Sequence, residues 1–187
     1  ELLNEFVRFS RMPAPDPRPT SLHKIIDDVY MLYSNQSPDI KIEKSYDPDL
    51  HLVNIDAEHF RRLFINLFEN AIDALNGDLD EERKISIATQ LVPTAQKVHI
   101  AFSDNGTGIL PGDRDKLFRP YFTTKKRGSG LGLAIVNRIV VDHNGTITAH
   151  ENTPRGTVFE IELPCPPASL KPDPLPKTQS QKTSSPS

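Results

Sequence analysis

Four polar residues, Asn66, Glu69, Asn70 and Asp73, recur at i, i+3, i+4 and i+7, the spacing that lines side chains along one side of an α-helix. Asparagine is a poor helix former, roughly half a kcal/mol worse than alanine per site, so two at mid-helix call for a reason. Amide oxygens suit Mg2+, a hard cation that keeps several waters and is usually shared with substrate phosphates. A phosphate–metal site is one reading of this stripe; a solvated polar face is the other.

Three further stretches carry residues of the right type for nucleotide chemistry. Asp104-Asn105-Gly106-Thr107-Gly108 follows an apolar alternating run, so an aspartate at a strand end stands beside a glycine turn that permits close backbone approach. It could accept a hydrogen bond from an exocyclic amine such as that of adenine, or form a plain Asx turn. Gly128-Ser129-Gly130-Leu131-Gly132 opens a second helix, where backbone N–H groups and the helix dipole favour an anion; a flexible hinge fits the same residues. No Gly-Lys-Ser/Thr follows, so it is not a Walker loop. Between the two clusters, Leu117 to Arg127 runs from aromatics into Lys125, Lys126 and Arg127, a stretch whose cations could reach a polyphosphate or simply form a solvated basic turn.

Positioning these residues requires a scaffold, and the periodicities supply one. Phe60, Leu63, Phe64, Leu67, Ala71 and Leu75 make a buried stripe on a helix over 56–76, with Asp56 as its cap. A helix capped by Thr20 or Ser21 carries Leu22, Ile25, Ile26, Val29, Tyr30 and Leu32 to about Asn35. Ile40, Ile42 and Tyr46 alternate as a strand, and Leu52 to Ile55 is a short second one. A hairpin over 85–91 and 97–103 turns Ile85, Ile87, Val98, Ile100 and Phe102 inward. The helix over 131–143 closes at Asn144-Gly145, and a last hairpin pairs 146–151 with 156–163. Strands interleaved with three helices predict an α+β fold, a two-layer sandwich with an antiparallel or mixed sheet covered on one face.

The 187 residues suffice for one domain with extensions, and 36% hydrophobic content with nine Phe and no Trp supports one core of modest size. A net charge of −3 predicts no general affinity for nucleic acid or anionic membrane. The single cysteine, Cys165, excludes an internal disulfide and favours a reducing compartment. Residues 1–11 read as the last turns of a helix, 12–19 as a Pro-rich extended linker, and 165–187, rich in Pro, Ser and Lys, as a disordered tail.

Taken in order, the motifs resemble the ATP-binding (Bergerat) fold shared by gyrase, heat-shock chaperone ATPases, sensor histidine kinases and mismatch-repair ATPases. NLFENAIDA is similar to that family's N box, DNGTG to its first glycine box, LFRPYF to its F box, GSGLGLAI to its second glycine box and GTVFEIELP to its closing strand. The resemblance covers 21–164; the short lid and RFSRMPAP upstream resemble sensor histidine kinases of the nitrogen-regulation (NtrB/NtrY-like) type. It implies that Asn70 and Asn66 hold the Mg2+ bridging the ATP phosphates, and that Glu69 polarises the attacking group. It further implies Asp104 on the adenine amine with Gly106 and Gly108 giving backbone room, and Tyr121 packed near the base. Gly128, Ser129, Gly130, Leu131 and Gly132 would cradle phosphate, with Lys125 and Asp73 also at the nucleotide.

One departure bears on activity. The family phosphorylates a histidine in the pattern His-Glu-x-x-x-Pro, and only His150 of the six histidines is followed by Glu, with Pro154 at the wrong spacing. The acceptor hairpin is therefore expected upstream, and this chain should bind ATP without phosphorylating itself at the normal site. The resemblance implies an ATP:protein-histidine phosphotransferase domain serving a response regulator, monomeric by itself and homodimeric through the hairpin. It implies a cytoplasmic domain, with an inner-membrane anchor elsewhere in the protein left open. A nucleotide-sensing binding module, or another ATPase or serine kinase of the same fold, is the alternative.

Overall fold

The computed structural model describes residues 12–34, 36–76, 82–125 and 128–165. The expectations for 1–11 and 166–187, and for the Lys126-Arg127 end of the basic stretch, lie outside the described residues. Five strands, β2 (Lys41–Ser45), β4 (Lys84–Val92), β5 (Lys97–Asp104), β6 (Thr146–Glu151) and β7 (Thr157–Pro164), form one sheet in the order β2-β4-β5-β7-β6. β2 runs parallel to β4 and every other neighbouring pair is antiparallel, so the sheet is mixed.

Three helices, α1 (Leu22–Ser34), α2 (Ala57–Leu75) and α3 (Gly132–Asp142), supply the second layer. From α2, Phe60, Leu63, Phe64, Leu67 and Phe68 are wholly buried; from the sheet, Ile85, Ile87, Val98, Ile100 and Phe102 meet them, each such side chain stabilising the fold by about 1.5–3 kcal/mol. The inward set of the β4–β5 hairpin is the one its alternation predicts. On α1 the predicted stripe drifts at its end: Leu32 is 49% exposed and Tyr33, four residues after the buried Val29, packs against the core in its place.

The Pro-rich connector is extended, as four prolines require, and it is docked on the domain. Arg18–Thr20, β1, pairs antiparallel with β3 (Val53–Ile55) as a separate two-stranded sheet, and Met12 is buried in the common core. At the other end Cys165 is buried too, its N–H donating to the Gln96 carbonyl at 2.7 Å.

Candidate nucleotide site

Helix α2 begins at Asp56, whose Oδ1 accepts the N–H groups of Glu58 at 3.0 Å and His59 at 3.1 Å. With its apolar stripe sunk in the core, the opposite side of α2 forms one wall of an open cavity of about 880 Å³. Asn66, Glu69, Asn70 and Asp73 all line it, so the four-residue stripe is a cavity wall. Asn66 spends its amide group on its own helix, Nδ2 donating to the Arg62 carbonyl at 2.8 Å, which leaves Oδ1 turned toward Gly132; a Cβ added there would lie 2.9 Å from it. Arg62 lines the same cavity one turn before Asn66, a position the helical period itself could have supplied.

Lys125 reaches across from the segment before α3. Its ammonium donates to Asn70 Oδ1 at 2.9 Å and to Asp73 Oδ2 at 2.6 Å. Asn70 and Asp73 therefore both present an oxygen to one cationic group, and oxygens are the donors that Mg2+ takes. Among the described residues no three His, Cys, Asp or Glu side chains form a metal site; this pair needs further oxygens, such as those of phosphates, to complete a hard-cation shell.

The opposite wall is the start of α3. No described side chain caps its first turn, and Gly128, Ser129, Gly130, Leu131, Gly132 and Leu133 all border the cavity. Uncapped N–H groups with the positive end of the helix dipole make an anion site at that wall. Gly130 is held at φ +70, and a Cβ there would strike the Tyr121 backbone at 2.5 Å; the Tyr121 N–H donates to the Gly130 carbonyl at 2.9 Å, tying the aromatic stretch to the glycine turn.

At the end of β5, Asp104 is 3% exposed. Oδ1 accepts the Gly106 N–H at 2.9 Å, and the Thr157 N–H also donates to the carboxylate, but burial dominates and pushes the acid up to about 6. Gly106 passes so close to α2 that a Cβ would sit 2.6 Å from the Ala74 carbonyl, and the Thr107 N–H donates to that carbonyl at 3.0 Å. Asp104 and Gly106 thus stand behind the wall, whose surface at this end is Thr107 and Gly108. Tyr121 does not line the cavity. Its left-handed backbone, φ +67, leaves the ring 55% exposed, and Phe122 lines the cavity instead.

The sequence profile of the histidine kinase-, DNA gyrase B-, and HSP90-like ATPase family matches residues 55–167. The sensory histidine kinase/phosphatase NtrB of Rhizobium leguminosarum bv. phaseoli is 33% identical over 157 residues, 78% of this chain and 41% of that protein. The chain therefore spans about two fifths of that relative's length. The catalytic domain of histidine kinase ThkA is 31% identical with a TM-score of 0.71, covering 82% of this chain and 99% of the other. ThkA in complex with the response regulator TrrA aligns with a TM-score of 0.73 at 28% identity, over 89% of this chain and 47% of that one. With its family profile spanning both glycine turns and the asparagine helix, and a solved kinase catalytic domain matched over nearly its whole length, the chain belongs to the histidine-kinase branch of this ATP-binding family.

Proposed function

We propose that the chain is the catalytic domain that transfers the γ-phosphoryl group of ATP to a histidine on a separate helical hairpin, for relay to a response-regulator aspartate. The observation that carries this reading is the Lys125 ammonium bonded to Asn70 and Asp73, facing the uncapped start of α3 across one cavity. When bound, Mg2+ would neutralise charge on the phosphates; Asn70 would hold it, with Asn66 Oδ1 beside it. Lys125 then exchanges its carboxylate partner for phosphate oxygens, and the α3 N–H groups with Gly128 to Gly132 hold the phosphate chain. Asp104 accepts the adenine amine, and Glu69 polarises the attacking group. Phosphoryl transfer asks mainly for positioning and charge neutralisation, and this inventory supplies both. ThkA in complex with TrrA makes a response regulator the natural second partner. The chain's partner in the first step is a dimerising hairpin to which the 12–19 linker would lead, so the chain by itself is monomeric.

The test is calorimetric titration with ATP, with and without Mg2+. The chain is expected to bind ATP in the micromolar-to-millimolar range, Asp104→Ala to abolish binding, and Asn70→Ala to remove chiefly the Mg2+ dependence. A folded chain that binds no ATP overturns the reading. Binding without phosphotransfer to a separately supplied histidine hairpin makes the domain a nucleotide sensor instead.

A further inference from the structure

Resting on the reading of Asp104 as the group that meets the adenine amine, we infer that Arg155 is a positioning residue for nucleotide specificity: from the loop between β6 and β7, it holds the glycine turn that directs the Asp104 carboxylate. That turn begins where β5 ends, at Asp104. A glycine there has no side chain to limit its torsions, so a carboxylate that must keep one direction needs the turn restrained from outside.

Each peptide unit of the turn is held by hydrogen bonds. Between Asp104 and Asn105, the carbonyl accepts Asn152 Nδ2 at 2.8 Å and the N–H donates to the Lys84 carbonyl at 3.2 Å. Between Asn105 and Gly106, the N–H donates to Asp104 Oδ1 at 2.9 Å, a bond that directs the carboxylate. Between Gly106 and Thr107, the carbonyl accepts Arg155 Nε at 2.9 Å and the N–H donates to the Ala74 carbonyl of α2 at 3.0 Å. Gly106 is thus gripped on both sides, its N–H by Asp104 and its carbonyl by Arg155. One loop supplies both side-chain donors, Asn152 and Arg155, and it is shaped for close approach. Gly156 sits at φ +110, a Cβ on it would collide with the Asp104 carbonyl, and its own carbonyl accepts the Asn152 N–H at 3.0 Å.

Asn152 and Arg155 do not line the cavity, whereas Thr107 and Gly108 do, so the effect of Arg155 must pass through the turn. Arg155 is exposed and adds little to the core, which makes its role separable from folding. Its bond is of the charge-assisted kind, stronger than one between neutral groups. Without it, the Gly106 carbonyl is free to rotate, the Asp104–Gly106 bond loosens, and the carboxylate loses its fixed direction. Its sequence context marks Arg155 only as part of a hairpin turn, and its partner lies 49 positions away, beyond any periodicity.

The experiment compares the unmodified chain with Arg155→Met, which keeps the length of the stem and has no donor, and with Arg155→Gln, which sets an N–H as many bonds from the backbone as the arginine Nε. Calorimetry measures the affinity of each for ATP and for inosine triphosphate, which has no exocyclic amine, and urea denaturation measures stability. Arg155→Met is expected to weaken ATP about tenfold and inosine triphosphate by less than about twofold, so that most of the preference for ATP is lost. Arg155→Gln is expected to keep that preference within about threefold of the unmodified chain, and all three to share nearly the same urea midpoint. A preference unmoved in Arg155→Met, including an equal loss for both nucleotides, overturns the inference. So does an Arg155→Gln as poor as Arg155→Met, which would make the charge and not the hydrogen bond the cause. Failure of Arg155→Met to fold overturns it as well, because a side chain that only orients a turn does not decide folding. Failure of the underlying reading looks different: the unmodified chain then binds no ATP, or binds ATP and inosine triphosphate alike, and the inference falls with it.

Discussion

Asp104 carries two opposed demands in one side chain. Burial favours its neutral form, while the adenine contact proposed for it needs the ionised carboxylate, and with the acid pushed up to about 6 that form prevails only above that pH. ATP affinity is therefore expected to fall as pH drops through about 6, by up to about tenfold at pH 5. Inosine triphosphate, which lacks the amine, serves as the comparison: its weaker binding should not change over the same interval. Calorimetry at a series of pH values checks this, and equal pH dependence for both nucleotides would sever Asp104 from the base. Lys125 answers a different question. Its pair with Asp73 is half exposed on both sides, 41% and 52%, so Lys125→Met is expected to change stability by less than about 0.5 kcal/mol in urea denaturation. A loss of ATP affinity in the same variant would then report on phosphate contact and not on folding.

At the scale of elements, α2 depends on a junction that its own sequence half reveals. Asp56 before an apolar run is legible as a cap, and the structure bears this out. Its other contacts are not legible: Oδ2 accepts the Asp16 N–H of the connector at 2.9 Å, and the Asp56 N–H donates to His143 Nε2 at 3.0 Å. His143 can accept there because Nδ1 is bonded to the Ile139 carbonyl at 2.7 Å, which fixes a neutral tautomer; burial correspondingly lowers its pKa. These partners lie 40 and 87 residues away, beyond any periodicity. Asp56→Ala is expected to cost about 1–2 kcal/mol in urea denaturation, the cap with its connector bond. A cost under about 0.3 kcal/mol would mean that neither bond matters. Nearby, His59 is buried and neither ring nitrogen has a hydrogen-bond partner. His59→Leu is accordingly expected to raise stability by about 1 kcal/mol, read as a higher melting temperature; a lower one would show that its edge contact with His143 outweighs the unmet polar groups.

For the whole molecule, the two-layer plan was legible because each strand's alternation and each helix's stripe name the same buried side. The pairing of β1 with β3 and the parallel β2–β4 register were not, since loops and long-range packing set them. The same global packing decides how the domain responds to acid. Asp104 binds a proton more readily folded, at about 6, than unfolded, where 3.8 is usual, so its contribution to stability rises as pH falls from 7 toward 4. His143 and His23 act in the opposite sense. Burial lowers both, so the unfolded chain takes up protons below about pH 6.5 that the folded chain refuses, and stability falls. In the unmodified chain the Asp104 term opposes theirs between about pH 6.5 and 4; in Asp104→Ala that opposing term is gone. Urea denaturation at intervals across that range is therefore expected to show the variant losing stability relative to the unmodified chain as pH falls, the two diverging by roughly 3 kcal/mol. Parallel curves would mean that burial does not hold the Asp104 carboxyl near 6, and the pH dependence expected of nucleotide binding would lose its physical basis.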